Sequence, residues 1–331
     1  MNIPLKDLKN VTLQAIIRSG YTEQEAQTLA EVMLYAQLRG NNQGVVKLIG
    51  KGIPKAQSVS PIAIEKESAA TAFLDGGHNH AMIAVTYATD LAIEKTKKCG
   101  VGIVGIHNLN TSSGAIGYYA RRIADAGLAG IVVCGSMETV ATAGSYEAMF
   151  GTNPIAIAVP TTGEPLVYDI TTSSMAFYGV VEANTAGRML PAGIAYDKNG
   201  NETIKPSDVL EGGAIKSFDR GHKSSGLSMM IQALTGPLLQ SYFTGVGDIK
   251  NNWAGHLIIA FNPELFGGEQ AMREGVAAMI ARVKASKKLP GVDEIFVPGE
   301  KGDRKTKAIE EAGTLEIEDN LYAELKRVAG Q

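Results

Sequence analysis

The stretch VGIVGIHNLNTSSGAIGYYARRIADAG, residues 101–127, contains the change of pattern that decides the fold. Its first six residues form an apolar run typical of a buried strand, and a polar loop follows them. Helical spacing then begins near Gly114 and ends at Gly127, because glycine commonly stops a helix. A strand, a polar loop and a helix in direct succession indicate an α/β protein. Loops at strand ends often carry reactive groups, and this loop carries His107.

The alternation of strands and helices continues on both sides of this stretch. Before it, LKDLKNVTLQAIIRSG and TEQEAQTLAEVMLYAQL have helical spacing, and Thr22 with Glu25 predicts a capping box on the second helix. A strand pair at about residues 60–76 and the helix AMIAVTYATDLAIEKTKK follow. After it, GIVVCGS, PIAIAVP, EPLVYDI and HLIIAFNP predict strands, and most of the remaining chain is predicted to be helical.

This order gives the chain a helical beginning, a strand-rich middle and a helix-rich end. A length of 331 residues is enough for two domains. We therefore predict a sheet domain at residues 71–215, inserted into a helical domain that is built from residues 1–70 and 216–331.

The composition excludes several classes of protein. Hydrophobic residues make up 45% and charged residues 20%, which is typical of a soluble globular protein, and a net charge of −3 gives no attraction to nucleic acid or to an anionic membrane. No apolar window could span a bilayer and no signal peptide is recognisable, so we expect a cytoplasmic protein. The two cysteines, Cys99 and Cys134, imply no disulfide framework. His78 and His80 lack the further ligands that a metal site needs, so no metal is expected.

Gly100, Gly102 and Gly105 match the dinucleotide-binding pattern G-x-G-x-x-G. That pattern requires a strand before it and a helix that opens through it. Here a predicted helix ends at Lys98 and the glycines continue into a strand. We therefore predict that these glycines do not form a Rossmann site.

Three other segments are candidates for binding. GHKSSG, residues 221–226, precedes an apolar helix, so its backbone N–H groups and Lys223 could attract an anion, although a capped turn explains the pattern equally well. Thr152 in GTNP lies in a turn that could hold a polar ligand, or its side chains could only hydrogen-bond to the backbone of the turn. Asp169 ends a strand, where it could bind a ligand or serve as a helix cap or turn former.

FGTNPIAIAVPT, the strand ending in Asp169, GHKSSGLSMMIQALTG and FVPGEKGDR occur in the order seen in the malate/L-lactate dehydrogenase family. The chain resembles this family over nearly its whole length. The family also contains ureidoglycolate, sulfolactate and diketogulonate enzymes and the reductase of piperideine carboxylate, and it is unrelated to the Rossmann-type lactate and malate dehydrogenases.

The resemblance implies a non-Rossmann fold in which a mostly antiparallel sheet domain binds NADH or NADPH, together with a helical domain and a homodimer. It also implies that Thr152 lies against a small carboxylate substrate. The cofactor contacts that it implies are Ser112, Ser113, Gly114, Ala115, Ile116, Ser136, Asp169, Ile170, Thr171, His222, Lys223, Pro298, Gly299 and Glu300.

The chain departs from the family pattern at the residues that carry the chemistry. The family usually has S-H-G after the second helix, with the histidine taken as proton donor, and then an arginine for the substrate carboxylate. This chain has NNQGVVKL, so Gln43 stands where the Ser-His pair should be, with one residue deleted, and Lys47 stands at the arginine. Lys47 keeps the charge but loses the bidentate geometry of arginine. Many members also have a histidine where this chain has Ser112.

These substitutions leave three hypotheses about the proton that a reduced ketone needs. Gln43 cannot supply it, because an amide does not titrate near neutral pH. In the first hypothesis a relocated acid acts, and the candidates are His107, His222, Lys47 and Tyr119. His107 is chemically the best of them because imidazole titrates near neutral pH, although it could also be an ordinary hydrogen-bonded loop residue.

In the second hypothesis the substrate is a cyclic imine carboxylate, which becomes a neutral amine on accepting a hydride and needs no acid. In the third, the chain binds the cofactor and has lost catalysis. From the sequence we predict a nicotinamide-dependent oxidoreductase of small 2-oxo or 2-imino carboxylates, with Gln43, Lys47 and His107 as candidate catalytic residues and with Lys47 paired to the substrate carboxylate.

Overall fold

The computed structural model describes residues 1–49, 52–248 and 252–331. The α-helices in this part of the chain are α1 Leu5–Arg18, α2 Glu23–Leu38, α3 Ala81–Cys99, α4 Gly117–Asp125, α5 Phe177–Thr185, α6 Pro206–Leu210, α7 His222–Thr235, α8 Glu269–Lys284, α9 Glu300–Ala312 and α10 Asp319–Ala329. The strands are β1 Asn2–Pro4, β2 Ala63–Glu67, β3 Thr71–Asp75, β4 Val101–His107, β5 Ala129–Cys134, β6 Val140–Ala141, β7 Ala148–Phe150, β8 Ile155–Val159, β9 Leu166–Ile170, β10 Ala195–Tyr196, β11 Ala214–Ile215, β12 His256–Phe261 and β13 Thr314–Glu316.

The main sheet has seven strands in the order β2-β3-β4-β12-β5-β8-β9. Only β3 and β4 pair in parallel, and the other five pairs are antiparallel. The prediction of a mixed, mostly antiparallel sheet is therefore confirmed. The predicted capping box is also present, because the Thr22 side chain accepts from the Glu25 N–H while the Glu25 carboxylate accepts from the Thr22 N–H.

The main sheet includes a strand that comes after residue 215. Strand β12 lies at its centre and pairs with β4 on one side and β5 on the other, so that His256 is opposite both Ile106 and Cys134. Its apolar residues are largely buried, and a continuous apolar run of this kind favours a strand with neighbours on both edges. The division of the chain into two domains stays a prediction.

The three glycines of the G-x-G-x-x-G match serve helix ends and packing. Gly100 ends α3 in the left-handed conformation, at φ 87°. A Cβ on Gly102 would lie 2.1 Å from the Ala92 carbonyl oxygen of α3, and one on Gly105 would lie 2.4 Å from Leu239 Cδ2. The glycines let a helix and a side chain approach β4, as expected for a segment that is not a dinucleotide site.

A second sheet, in the order β10-β11-β6-β7, has a small core of its own. Val180 of α5, Val209 of α6 and Ile215 of β11 belong to this core. The core anchors α5, and the exposed face of α5 carries Tyr178. This smaller unit therefore positions one wall of the cavity described below.

Candidate active site

A cavity of ≈ 590 Å³ lies where the loop after β4, the end of β5 and the end of β9 meet. The loop enters α4 later than its spacing predicts: Gly114 has φ 75°, which no α-helix accommodates, and the helix begins at Gly117. The sequence-predicted residues that line this cavity are Gln43, 112–116, Ser136, Thr152 and 169–171.

Asp169 faces this cavity from the end of β9. Its carboxylate accepts a hydrogen bond of 2.8 Å from the backbone N–H of Gly117, at the start of α4. Although the residue is exposed to solvent in the cavity, the protein around it raises the pKa of the carboxyl to about 6 by desolvation. Asp169 therefore serves as a cap for α4, and its other oxygen has no hydrogen-bond donor among the described residues, so it can accept from a ligand.

The GTNP turn has a structural residue and a cavity residue side by side. Asn153 is fully buried, accepts from the Ser136 N–H at 3.1 Å and donates from Nδ2 to the carbonyl oxygen of Ser228 at 3.1 Å. Thr152 lines the cavity, and its hydroxyl is 3.2 Å from Ser136 Oγ. The amide of Asn153 thus holds the two hydroxyls of Thr152 and Ser136 at the cavity wall.

Lys47 lies in a short 3-10 helix, Val45–Leu48, next to the cavity. Its residue is 7% exposed, its Nζ is 3.4 Å from Ser112 Oγ, and the same Nζ is 3.9 Å from the centre of the Tyr178 ring. Burial lowers the pKa of Lys47 to about 7. Ser112 and Tyr178 both line the cavity, so the Lys47 ammonium lies directly behind the wall.

Two buried histidines close to the cavity were not predicted as site residues. His80 Nδ1 accepts from the Met82 N–H and caps α3, and burial together with the charge of Lys47 lowers the pKa of His80 to about 3. His256 Nε2 is 2.7 Å from Ser113 Oγ, and burial lowers the pKa of His256 to about 3 as well. The one sequence signal for His256 is a histidine at the head of the apolar strand HLIIAF.

The structure places His107 away from the cavity. Its Nε2 is 3.1 Å from the Glu65 carboxylate, and its ring stacks on Phe73 with the centroids 4.7 Å apart. Tyr119 is fully buried and donates its hydroxyl to the carbonyl oxygen of Ser113, with its pKa raised well above the usual value by burial. Neither side chain belongs to the described lining of the cavity, and the role of His107 as a proton donor stays a prediction.

The GHKSSG segment is not arranged as an open anion cradle. The carboxylate of Asp219 accepts from the Gly221 and Ser224 N–H groups at the start of α7, so the chain supplies its own anion there. His222 and Lys223 are exposed, and neither belongs to the described lining of the cavity. The alternative interpretation, a capped turn, agrees with this arrangement.

The PGE segment lines a second cavity, of ≈ 1030 Å³, together with α2 and α4. Pro298 and Glu300 are part of its lining, and Gly299 between them has φ 81° as it begins α9. Strand β9 contributes to both cavities, through Leu166 to this one and through Asp169 to the first. The two cavities therefore share β9.

Comparison with known proteins identifies the class. The family model described as malate/L-lactate dehydrogenase matches residues 3–326. Over 341 residues the chain is 30% identical to the malate/(S)-sulfolactate dehydrogenase of Methanothermus fervidus, covering 100% of this chain and 98% of the relative. Over 348 residues it is 32% identical to the delta(1)-pyrroline-2-carboxylate/delta(1)-piperideine-2-carboxylate reductase of Pseudomonas putida, covering 100% and 97%. The solved sulfolactate dehydrogenase of Methanocaldococcus jannaschii has a TM-score of 0.82 at 31% identity, covering 100% and 97%.

The fold and these matches define an oxidoreductase that acts on CH–OH or CH–NH groups. The chain belongs to the malate/L-lactate dehydrogenase family. The expected non-Rossmann fold of this family is confirmed by the solved relatives. Among the described residues, no group of three or more His, Cys, Asp or Glu side chains is arranged to hold a metal ion, and no helix is long and apolar enough to cross a membrane.

Proposed function

We propose that this protein reduces a small 2-oxo or 2-imino carboxylate with NADH or NADPH. The observation that carries the proposal is the buried Lys47 ammonium behind a wall of hydroxyl groups in the cavity. A positive charge with little access to water favours an anion in front of it, because its field is poorly screened there. A substrate carboxylate beside Thr152 would meet this field. The cytoplasmic location of the protein stays a prediction.

The residues around the cavity fit a nicotinamide cofactor. A Cβ on residue 117 would lie 2.8 Å from Asp169 Oδ2. Because Gly117 has no Cβ, the Asp169 carboxylate can approach the start of α4. The free oxygen of Asp169 can accept from a ribose hydroxyl, and Ser113 and Ser136 can hydrogen-bond to polar groups of the cofactor. The bound cofactor would supply the hydride. Contacts from Pro298 to Glu300 and from His222 and Lys223 stay predictions.

A cyclic imine is the second candidate substrate. It is favoured by the positions of His107 and His222, because neither described side chain lines the cavity where a ketone would need an acid. An imine accepts a hydride as its protonated iminium form and leaves as an amine, without an acid from the protein. The relative from Pseudomonas putida is named for two substrates of this kind.

The test is the loss of absorbance at the nicotinamide wavelength with each cofactor and a panel of substrates. The panel contains pyruvate-like 2-oxo acids and the five- and six-membered cyclic ketimine carboxylates. We expect oxidation of the cofactor with at least one panel member. Tight cofactor binding without any oxidation would instead support the third hypothesis, a homologue that binds the cofactor and has lost catalysis.

Asp169→Asn should weaken cofactor binding while leaving the fold intact. The amide oxygen can still accept from the Gly117 N–H, but the charge that accepts from a ribose hydroxyl is lost, and charge-assisted hydrogen bonds are about twice as strong as neutral ones. We expect the Kd for the cofactor to rise on the order of 10-fold, which corresponds to about 1.4 kcal/mol. Cofactor fluorescence titrations measure it, with Asp197→Asn, in an exposed turn, as the matched control. An unchanged Kd would contradict the contact.

We also propose that the enzyme is a homodimer and that α7 forms part of the interface. Met230 and Leu234 lie four residues apart on this helix and are 60% and 39% exposed. Exposed apolar side chains on one helix face are typical of interfaces. Met230→Glu should convert the dimer to a monomer in sedimentation experiments, whereas Met189→Glu, at a methionine 62% exposed elsewhere, should not. A native protein that sediments as a monomer would refute the proposal.

A further inference from the structure

The hydroxyl of Ser112 has one proton and no protein acceptor for it in the described part of the chain. A hydroxyl group has one donor hydrogen and two acceptor lone pairs. One lone pair accepts from the Gly114 N–H at 3.3 Å, and the other is 3.4 Å from Lys47 Nζ, which can only donate. Since both lone pairs face donors, the remaining O–H of Ser112 is available to the cavity that this residue lines.

The surroundings of Lys47 make it a source of protons rather than a fixed charge. The groups that face it are Ser112 from the loop after β4, the Tyr178 ring from α5 and His80 from the start of α3. None of these is a carboxylate, and burial alone accounts for the lowered pKa of about 7. His80 stays neutral near pH 7 because its own pKa is lowered to about 3. An ammonium with this pKa gives up its proton readily near neutral pH.

The geometry points to a proton relay in which Ser112 protonates the substrate oxygen while Lys47 reprotonates Ser112 in the same step. This inference rests on the proposed function and replaces the missing family histidines. The substrate carbonyl carbon gains the hydride, and the electron pair of the C=O bond moves to its oxygen. That oxygen takes the proton of the Ser112 hydroxyl, Ser112 Oγ takes a proton from Lys47 Nζ, and neutral Lys47 regains one from water after the product leaves.

Lys47→Arg separates this relay from simple attraction of a carboxylate. Arginine keeps the positive charge but does not lose its proton near neutral pH. With a 2-oxo acid, we expect the single-turnover rate of cofactor oxidation to fall about 100-fold or more, since a positioned acid contributes roughly 10²–10⁴ in rate. In the native enzyme kcat/KM should fall above a pKa of about 7, and this limb should be absent from Lys47→Arg. The matched control is Lys55→Arg, at a lysine paired with Glu25.

Ser112→Ala tests the other member of the pair. The single-turnover rate of Ser112→Ala with 2-oxo acids should fall to a similar extent. The rate of the double variant should be no lower than that of either single variant, because both residues act in the same step. At pH 6, where Lys47 and an arginine in its place both carry the charge, binding of oxamate, an unreactive 2-oxo acid analogue, should change less than threefold in Lys47→Arg. With cyclic ketimine carboxylates added as iminium ions, Ser112→Ala should lose much less of its rate than it loses with 2-oxo acids. Native single-turnover rates with 2-oxo acids in either variant would overturn the relay.

A binding measurement keeps the relay testable apart from the proposed function. Oxamate in front of Lys47 should raise the lysine pKa, so the cofactor-saturated protein should take up close to one proton on binding oxamate at pH 8. Calorimetry in two buffers of different ionisation enthalpy measures this uptake, and Lys47→Arg should abolish it. If no panel substrate is turned over, the proposed function fails. An absence of proton uptake in the native protein overturns the relay whether or not turnover is seen.

Discussion

Gly102→Ala should strongly destabilise the protein, with the free energy of unfolding lowered by about 3 kcal/mol or more. Gly102 lies in β4 under α3, and a Cβ there would be 2.1 Å from the Ala92 carbonyl oxygen and 2.7 Å from Thr96 Oγ1. The Ala92 carbonyl oxygen belongs to the helix backbone, so a change of side-chain rotamer cannot relieve the clash with it. The whole of α3 would have to move away from the sheet, and buried contacts along the helix would be lost.

Urea unfolding followed by circular dichroism measures this loss as a lower transition midpoint. Gly163→Ala is the matched control, because its Cβ would meet only Thr161 Oγ1 at 4.0 Å in the turn between β8 and β9. We expect the control to change the free energy of unfolding by less than about 0.5 kcal/mol, as is usual for a surface substitution. Equal midpoints for the two variants would show that α3 does not pack on β4 as described.

Lys47→Met should stabilise the protein without its ligands, even though it removes the charge that we propose for function. Burial holds the Lys47 pKa at about 7 against a usual value of 10.5, so the unfolded chain binds this proton more tightly than the folded protein does. The resulting penalty is fully present below pH 7 and on the order of 5 kcal/mol. Methionine keeps the aliphatic stem and removes the penalty.

The pH dependence gives this prediction its sign. Between the folded pKa of about 7 and the usual value of 10.5, the folded protein has already lost the proton that the unfolded chain keeps, so the stability of the native protein should rise with pH. The advantage of Lys47→Met should therefore be largest at pH 6 and small by pH 10. Urea midpoints at both values measure it. The control Lys55→Met removes the ion pair with Glu25 and should not stabilise the protein at either pH. If Lys47→Met is less stable than the native protein at pH 6, the expected penalty is refuted.

Several features could be predicted from the sequence because they depend on neighbours along the chain. The capping box of Thr22 and Glu25 spans three residues, and the period of apolar residues gives β4, α3 and α4 to within a few positions. The motif order around Asp169 and GTNP led to the family, which the comparisons then confirmed. These signals are local, so an unfolded chain already contains them.

The positions of the polar groups relative to the cavity depended on contacts between distant segments. His107 and Asp75 are register partners on β4 and β3, and the imidazole of His107 is held by Glu65 rather than exposed in the cavity. The Asp219 carboxylate accepts a hydrogen bond from the Gly221 N–H at the start of α7. A pattern of glycine and serine does not reveal this interaction. Periodicity predicts that a strand exists, but not which strands will be its neighbours.

What the sequence by itself determined is the class of fold, the family and the segments that carry polar groups. Only the tertiary structure decided that β12 enters the centre of the sheet, bringing His256 to Ser113 across 143 positions of sequence. It also decided that Lys47 is buried behind Ser112, 65 positions away. The physical reason is that the pKa of a lysine depends on the water removed from around it, and only packing between distant elements removes that water.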